Sequence, residues 1–188
     1  MTVTPGHQEY HEVFLTAPLS NDELITELTG NPVSDREEAI LENGYDLVVQ
    51  KLDQIPEPAR KIIRGAWGEN FESYNLAPGN GPIKGIRCRI TEDQWERLAD
   101  WEFEEFGWFK PTDVEIRNLV TGKVEKVKTM VMGDGQQFDR KVDGYDFNQF
   151  LMPKGKTLEV ARIARKFYDE RMGLTPERSS NQSVESKG

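Results

Sequence analysis

Histidine is nearly absent from this sequence: His7 and His11 are the two in 188 residues. Two imidazoles are too few for a zinc site, so no metal is expected. Ser-His or Cys-His catalysis finds no support either. Cysteine is as scarce. Cys88 stands alone, which rules out an internal disulfide, and its place on the apolar face of a strand marks an inert core residue. Basic runs are missing as well. The 33 acidic residues outnumber 24 Lys and Arg, the net charge is -9 and the pI about 4.9. Such a chain is a poor partner for nucleic acid or an anionic membrane. No apolar run approaches the ~20 residues of a membrane span. The opening MTVTPGHQEYHEV lacks the basic and apolar regions of a signal peptide, so a cytoplasmic location is expected. Gly79-Asn80-Gly81 and Gly133-Asp134-Gly135 are isolated turn signals, not phosphate loops. No signal for an oligomeric state is visible.

What is present is a polar chain with ample aromatic volume, four Trp among it, and enough length for one core. Residues 11–17 read as a first strand ended by Pro18. Ser20 with Glu23 predicts a helix stopped by Gly30, and Ser34 with Glu37 predicts a second, short helix carrying Ala39, Ile40 and Leu41. Residues 45–50 read as a strand with Tyr45, Leu47 and Val49 on one face. A short helix over 59–66 would turn Ile62 and Ile63 inward. Residues 65–82, rich in Gly, Asn and Pro, read as a long loop with Trp67, Phe71 and Tyr74 in it. Residues 83–90 form the clearest strand, with Ile86, Cys88 and Ile90 opposite Arg87 and Arg89. A hairpin turns at Thr121-Gly122 between 113–119 and 123–132. Residues 133–154 are mostly loop with Tyr145, Phe147 and Phe150 packed. A last helix spans 157–172, with Val160, Ile163, Ala164 and Phe167 toward the core, Arg162, Arg165, Lys166 and Arg171 toward solvent, and Gly173 at its end. Residues 175–188 have a disordered composition. Five or six strands with four helices, not in regular βαβ order, predict an α+β fold.

The richest stretch is 90–111, ITEDQWERLADWEFEEFGWFKP. Thr91 is a good N-cap, Gln94 completes a capping box, and Ile90 and Trp95 occupy staple positions. Trp95, Leu98 and Ala99 form an apolar stripe whose next position is Glu102. A carboxyl drawn toward a core has its pKa raised, which suits proton transfer near neutral pH. If the helix ends at Asp100 or Trp101, Glu102 is instead solvated. Glu104 and Glu105 compete for the same role. Trp108 and Phe109 read equally as core or as the wall of a pocket. With metal, thiol and imidazole chemistry set aside, a carboxylate acid/base is the remaining catalytic option.

The order of pieces resembles the gamma-glutamylcyclotransferase-like superfamily over residues 11–152, most clearly over 83–132. The pieces are VFLTAPL, then EEAILENGYDL, IKGIRCRI, ITEDQWERLADWE, GWFKP and the hairpin TGKVEKVKTMV. Val13, Phe14 and Leu19 match the family's Val-Phe-x-Tyr-Gly-Ser/Thr-Leu signature. Glu102 falls on its catalytic Glu, and Phe109 falls near the aromatic that follows. The resemblance implies a small mixed, barrel-like β-sheet flanked by helices, a single domain over 11–173 and flexible tails at 1–10 and 174–188. It implies a cofactor-free reaction on a small molecule, in which the α-amine of a γ-glutamyl group attacks its own γ-carbonyl and 5-oxoproline is released. The substrate would lie against Phe14, Leu15, Thr16, Ala17, Pro18 and Leu19, whose N–H groups hold anionic oxygens, and against Trp108 and Phe109. The sequence departs from the family where Thr16, Ala17 and Pro18 stand for Tyr-Gly-Ser/Thr, and Pro18 has no N–H to offer. Ala99 replaces the Asp of Leu-Asp. Those departures open two further readings: the fold repurposed for cyclisation, elimination or isomerisation of a specialised metabolite, or a non-catalytic binding protein.

Overall fold

A computed structural model of the chain describes residues 9–145 and 149–174. Eight strands and four α-helices are described: β1 Tyr10–Leu15, α1 Asp22–Thr29, β2 Ser34–Leu41, β3 Gly44–Lys51, α2 Ala59–Trp67, β4 Glu72–Gly79, β5 Ile83–Thr91, α3 Glu92–Trp101, β6 Phe109–Asn118, β7 Val124–Met132, β8 Arg140–Lys141 and α4 Lys154–Arg171. The fold is α+β, as expected. Five strands close a barrel in the order β1-β5-β2-β6-β7, and β4-β3-β8 form a separate sheet. The barrel closes where β1 runs parallel to β7 at Val13 and Lys128, while its other ladders are antiparallel.

Alternation decides which side chains fill the barrel. On β5, Ile86, Cys88 and Ile90 point outward and pack with Val13, Leu15, α1 and Leu98 of α3. Phe14, Ala39, Ile83, Ile116 and Val127 belong to the other core, which the second sheet joins through Leu47, Val49, Tyr74 and Leu76. Gly85 lets β5 approach closely, because a Cβ there would meet the Leu15 carbonyl oxygen at 2.4 Å and the Phe14 ring at 2.8 Å. At the far end of the barrel Arg87 pairs with Glu12 and with Glu125 (2.9 Å), and the Asn118 amide donates to Glu37 (2.8 Å) and Glu125 (2.9 Å). Cys88 is fully buried, and burial pushes its thiol up to about 12, consistent with an inert core residue.

Several local expectations are corrected. Residues 34–41 form β2, not a helix: Ala39 and Leu41 are buried, Ile40 less so, and the segment pairs with β5 and β6. Two flanking strands outweigh a capping signal that is purely local. Residues 72–79 are β4 rather than loop, paired with β3 from Gly44–Gly79 to Lys51–Glu72. The N-cap of α1 is Asn21, whose side chain accepts from the Leu24 N–H, not Ser20. On α2, Ile63 is buried but Ile62 is 49% exposed, since adjacent helical residues cannot share a face. On α4 the buried positions are Thr157, Ala161 and Tyr168. That face is turned by one position from the expected one, so Ile163 and Phe167 are exposed. Ala161 is small enough to seat α4 in the core beside Leu24, Ile25 and Leu28 of α1. Tyr168 lies under the Arg97 guanidinium at 4.7 Å. Tyr145 is exposed rather than packed, whereas Phe150 does pack; Phe147, His7 and the 175–188 tail lie outside the described residues. Among the described residues no helix is long and apolar enough to cross a membrane, and no group of three or more His, Cys, Asp and Glu could hold a metal.

Candidate active site

Thr91 and Gln94 start α3 as the sequence predicts, each side chain accepting from the other's backbone N–H at 3.1 and 2.9 Å. The helix ends at Trp101, yet Glu102 is buried. Its N–H still reaches the Leu98 carbonyl at 3.0 Å, so it keeps the orientation of a residue on the helix. The next residue reverses the chain. Phe103 has φ +50°, a left-handed conformation that is costly for a bulky side chain. A 3₁₀ turn, Glu104–Phe106, and Gly107 (φ +78°) then lead into Trp108 and β6. The strap is pinned at both ends: the Trp108 N–H reaches the Phe103 carbonyl (3.3 Å), and the Gln136 amide donates to the carbonyls of Gly107 (2.7 Å) and Trp108 (2.9 Å). Gly133 packs so tightly here that a Cβ would lie 2.0 Å from the Gly107 oxygen.

Glu102 lies on the wall of a cavity of about 440 Å³ at the end of the barrel where β1 and β7 finish. Burial pushes its carboxyl up from 4.5 to about 8, and no neighbouring charge contributes. Its position at the C-terminal end of α3 acts in the same direction, because the helix dipole disfavours a negative charge there. At neutral pH this carboxyl is mostly a neutral acid. Glu104 and Glu105, its rivals in sequence, are exposed.

The rest of the cavity comes from separate parts of the chain. The loop 16–19 carries a bend in which the Ser20 N–H reaches the Thr16 carbonyl and the Asn21 N–H reaches that of Pro18, both at 2.8 Å. The N–H groups of Ala17 and Leu19 take no part in these bonds. Thr129 of β7 ties its hydroxyl to the Phe14 carbonyl at 2.8 Å. A buried amide network stands behind the wall: Gln50 Oε1 accepts from Trp108 Nε1 (2.9 Å) and from Asn75 Nδ2 (2.8 Å), and Gln50 Nε2 donates to Gln136 Oε1 (3.0 Å). It fixes the Trp108 ring, which meets Phe109 edge-on at 4.7 Å. Trp108 and Phe109 are therefore both core and cavity wall.

No protein-family model matches this sequence, and a comparison with curated proteins finds no match. Solved structures do match. A gamma-glutamyl cyclotransferase aligns over 92% of this chain and 86% of its own, with a TM-score of 0.55 at 12% identity. A human protein described as uncharacterized protein loc79017 aligns over 71% of this chain and 72% of its own, with a TM-score of 0.53 at 12% identity. The chain has the gamma-glutamylcyclotransferase-like fold.

Within that fold the structure gathers the residues singled out from sequence. Phe14, Leu15, Thr16, Ala17, Pro18, Leu19, Glu102, Trp108 and Phe109 all line the one cavity. Sequence reasoning did not find the opposite wall: Ile63 and Trp67 of α2, Phe71 and Asn75 at β4, and Ile163 and Phe167 of α4. Trp67 and Phe71 did stand out as aromatic weight in a polar stretch, but nothing local joined them to Glu102, more than thirty positions away. His11 is held outside this centre, with Nε2 2.6 Å from Glu92 Oε1 and its ring stacked on Trp95.

Proposed function

We propose that the chain is a cofactor-independent cyclotransferase-type enzyme that releases 5-oxoproline from a γ-glutamyl amine or peptide, with Glu102 as general acid/base. The observation that carries the reading is a buried carboxyl, raised to about 8, on the wall it shares with the loop 16–19. An α-ammonium brought beside Glu102 favours the carboxylate form. The carboxylate takes a proton from that ammonium, and the freed amine attacks the γ-carbonyl carbon. A C–N bond closes the five-membered lactam, and the N–H groups of the loop, Ala17 and Leu19 among them, stabilise negative oxygen. Glu102 returns its proton to the leaving nitrogen and the γ-amide C–N bond breaks; the second proton shed by the ring nitrogen then passes by way of Glu102 to the released amine, which departs as its ammonium. Atoms balance with no water and no co-reactant. The cavity holds the amine near its target, so the entropy of bringing the two together is met on binding.

Mass-spectrometric detection of 5-oxoproline from γ-glutamyl amides and peptides tests this with native protein and Glu102→Gln. Release by the native chain and a loss of at least ~10²-fold in the variant is the expected result for a residue of this role. Release unaffected by the change would move the acid elsewhere, and no release from any substrate would sink the reading. Pro18 favours a second reading, since it removes one N–H from the loop. The same Glu102 would then move protons in a cyclisation, elimination or isomerisation whose substrate asks less of that loop.

A further inference from the structure

The mouth of the cavity is built from apolar side chains exposed to solvent. Ile62 of α2 is 49% exposed, and Ile163 and Phe167 of α4 are 46% and 60% exposed. Two helices distant in sequence turn large apolar groups to one opening, and Trp67 and Phe71 continue the same surface inward. Apolar patches assembled in this way mark binding surfaces.

The cations on the wall are already engaged. Arg171 Nη2 lies 2.5 Å from Asp100 Oδ1, and its guanidinium sits 5.7 Å from the Tyr168 ring centroid. Lys128 Nζ lies 5.6 Å over the Trp95 ring and 3.3 Å from His11 Nδ1. The polar side chains of Thr129 and Asn75 are spent on internal bonds. A carboxylate on the outer part of a ligand would lose water here without gaining a cation of its own, and it would face the wall's carboxylates at Glu72, Asp100 and Glu105. The cavity, at about 440 Å³, also lies within the ~300–1,000 Å³ range that accommodates drug-sized ligands, more room than a small polar amine fills.

We infer that the amine released at this site is an aromatic or branched apolar one, seated between α2 and α4, rather than an amino acid or peptide bearing a free carboxylate. This rests on the cyclotransferase reading and names its substrate class. The test compares γ-glutamyl-phenethylamide and γ-glutamyl-isoamylamide with γ-glutamylglycine and γ-glutamyllysine. Two readouts are used: kcat/KM from 5-oxoproline release by the native chain, and Kd from tryptophan fluorescence with native chain and Glu102→Gln.

The apolar amides are expected to lead by about tenfold or more in both, the discrimination that even one or two buried methylene equivalents provide. The double variant Ile62→Ser/Phe167→Ser changes exposed positions only and should cut that lead about threefold or more. Apolar amides that bind with this preference while nothing releases 5-oxoproline would overturn the reaction and uphold the apolar subsite. Turnover of γ-glutamylglycine as fast as the apolar amides, or no binding preference, would overturn the inference while leaving the reaction intact. A preference unchanged in the double variant would overturn the placement between α2 and α4.

Discussion

Replacing Glu102 by Gln should make the protein more stable, by an amount that grows with pH. The two side chains have nearly the same shape, but Gln cannot ionise. In the folded chain the Glu102 carboxyl titrates near 8, and in the unfolded chain near 4.5. A raised pKa means the folded state holds the proton more tightly. The resulting stability is fully present below pH about 4.5, declines as pH rises through the interval, and is gone above about 8. Each pH unit between the two values is worth about 1.4 kcal/mol. The cost to the native chain is therefore about 1 kcal/mol at pH 5, about 3 at pH 7 and about 5 at pH 9. Other titrating groups, such as Asp46, which hydrogen bonds to Gly81 and Asn80 hold low, act alike in both proteins and cancel in the difference. Urea denaturation of the two chains at pH 5, 7 and 9 gives that difference directly. It should widen by several kcal/mol over the series. A difference that stays flat would mean that Glu102 ionises like a solvated carboxyl, and the argument for its chemistry would collapse.

The remaining predictions concern the frame around the site. Gly85→Ala should destabilise by at least about 2 kcal/mol, because the new Cβ meets backbone that cannot yield; a thermal midpoint within a degree of the native one would refute the close approach. Gly133→Ala should cost a similar amount and shift the near-ultraviolet signal of Trp108, since the Cβ pushes on the Gly107 carbonyl. Arg87→Leu should cost about 2 kcal/mol by leaving Glu12 and Glu125 half-buried beside one another, and the loss should shrink in high salt. Trp108→Phe should cost about 1–2 kcal/mol through the lost bond to Gln50 and lost volume, readable by denaturant titration; no change would show that the bond holds nothing in place.

The parts legible in the sequence were those with local causes. The junction from β5 into α3 was one, because alternation at Ile86, Cys88 and Ile90 and the Thr91–Gln94 box need no distant partner. The hairpin of β6 and β7 was another. Where the decision lay with tertiary partners, the local signal misled. Ser34 and Glu37 look like a cap, yet Glu37 accepts from Asn118 on the neighbouring strand β6. Asn75 looks like a loop residue, yet it is buried and bonded to Gln50. The stripe on α4 was displaced because Ala161, not Ile163, is small enough to fit at that point of the core. Glu102 shows both sides. Its spacing pointed inward, the helix ended before it, and the reversal at Phe103, which no residue preference announces, closes the chain around it.

The cavity sets a buried Glu102 against exposed Ile62 and Phe167, and that bears on the order in which products leave. For the proposed reaction the lactam forms deep, beside Glu102, while the amine lies nearer the mouth at Ile62 and Phe167. An amine seated at those exposed side chains stands between the lactam and solvent, so the amine departs first and 5-oxoproline last. Steady-state kinetics then carries the mark of the architecture. Added 5-oxoproline should inhibit competitively against substrate, because both bind the vacated protein, whereas added amine should inhibit noncompetitively, because it rebinds a protein that still holds the lactam.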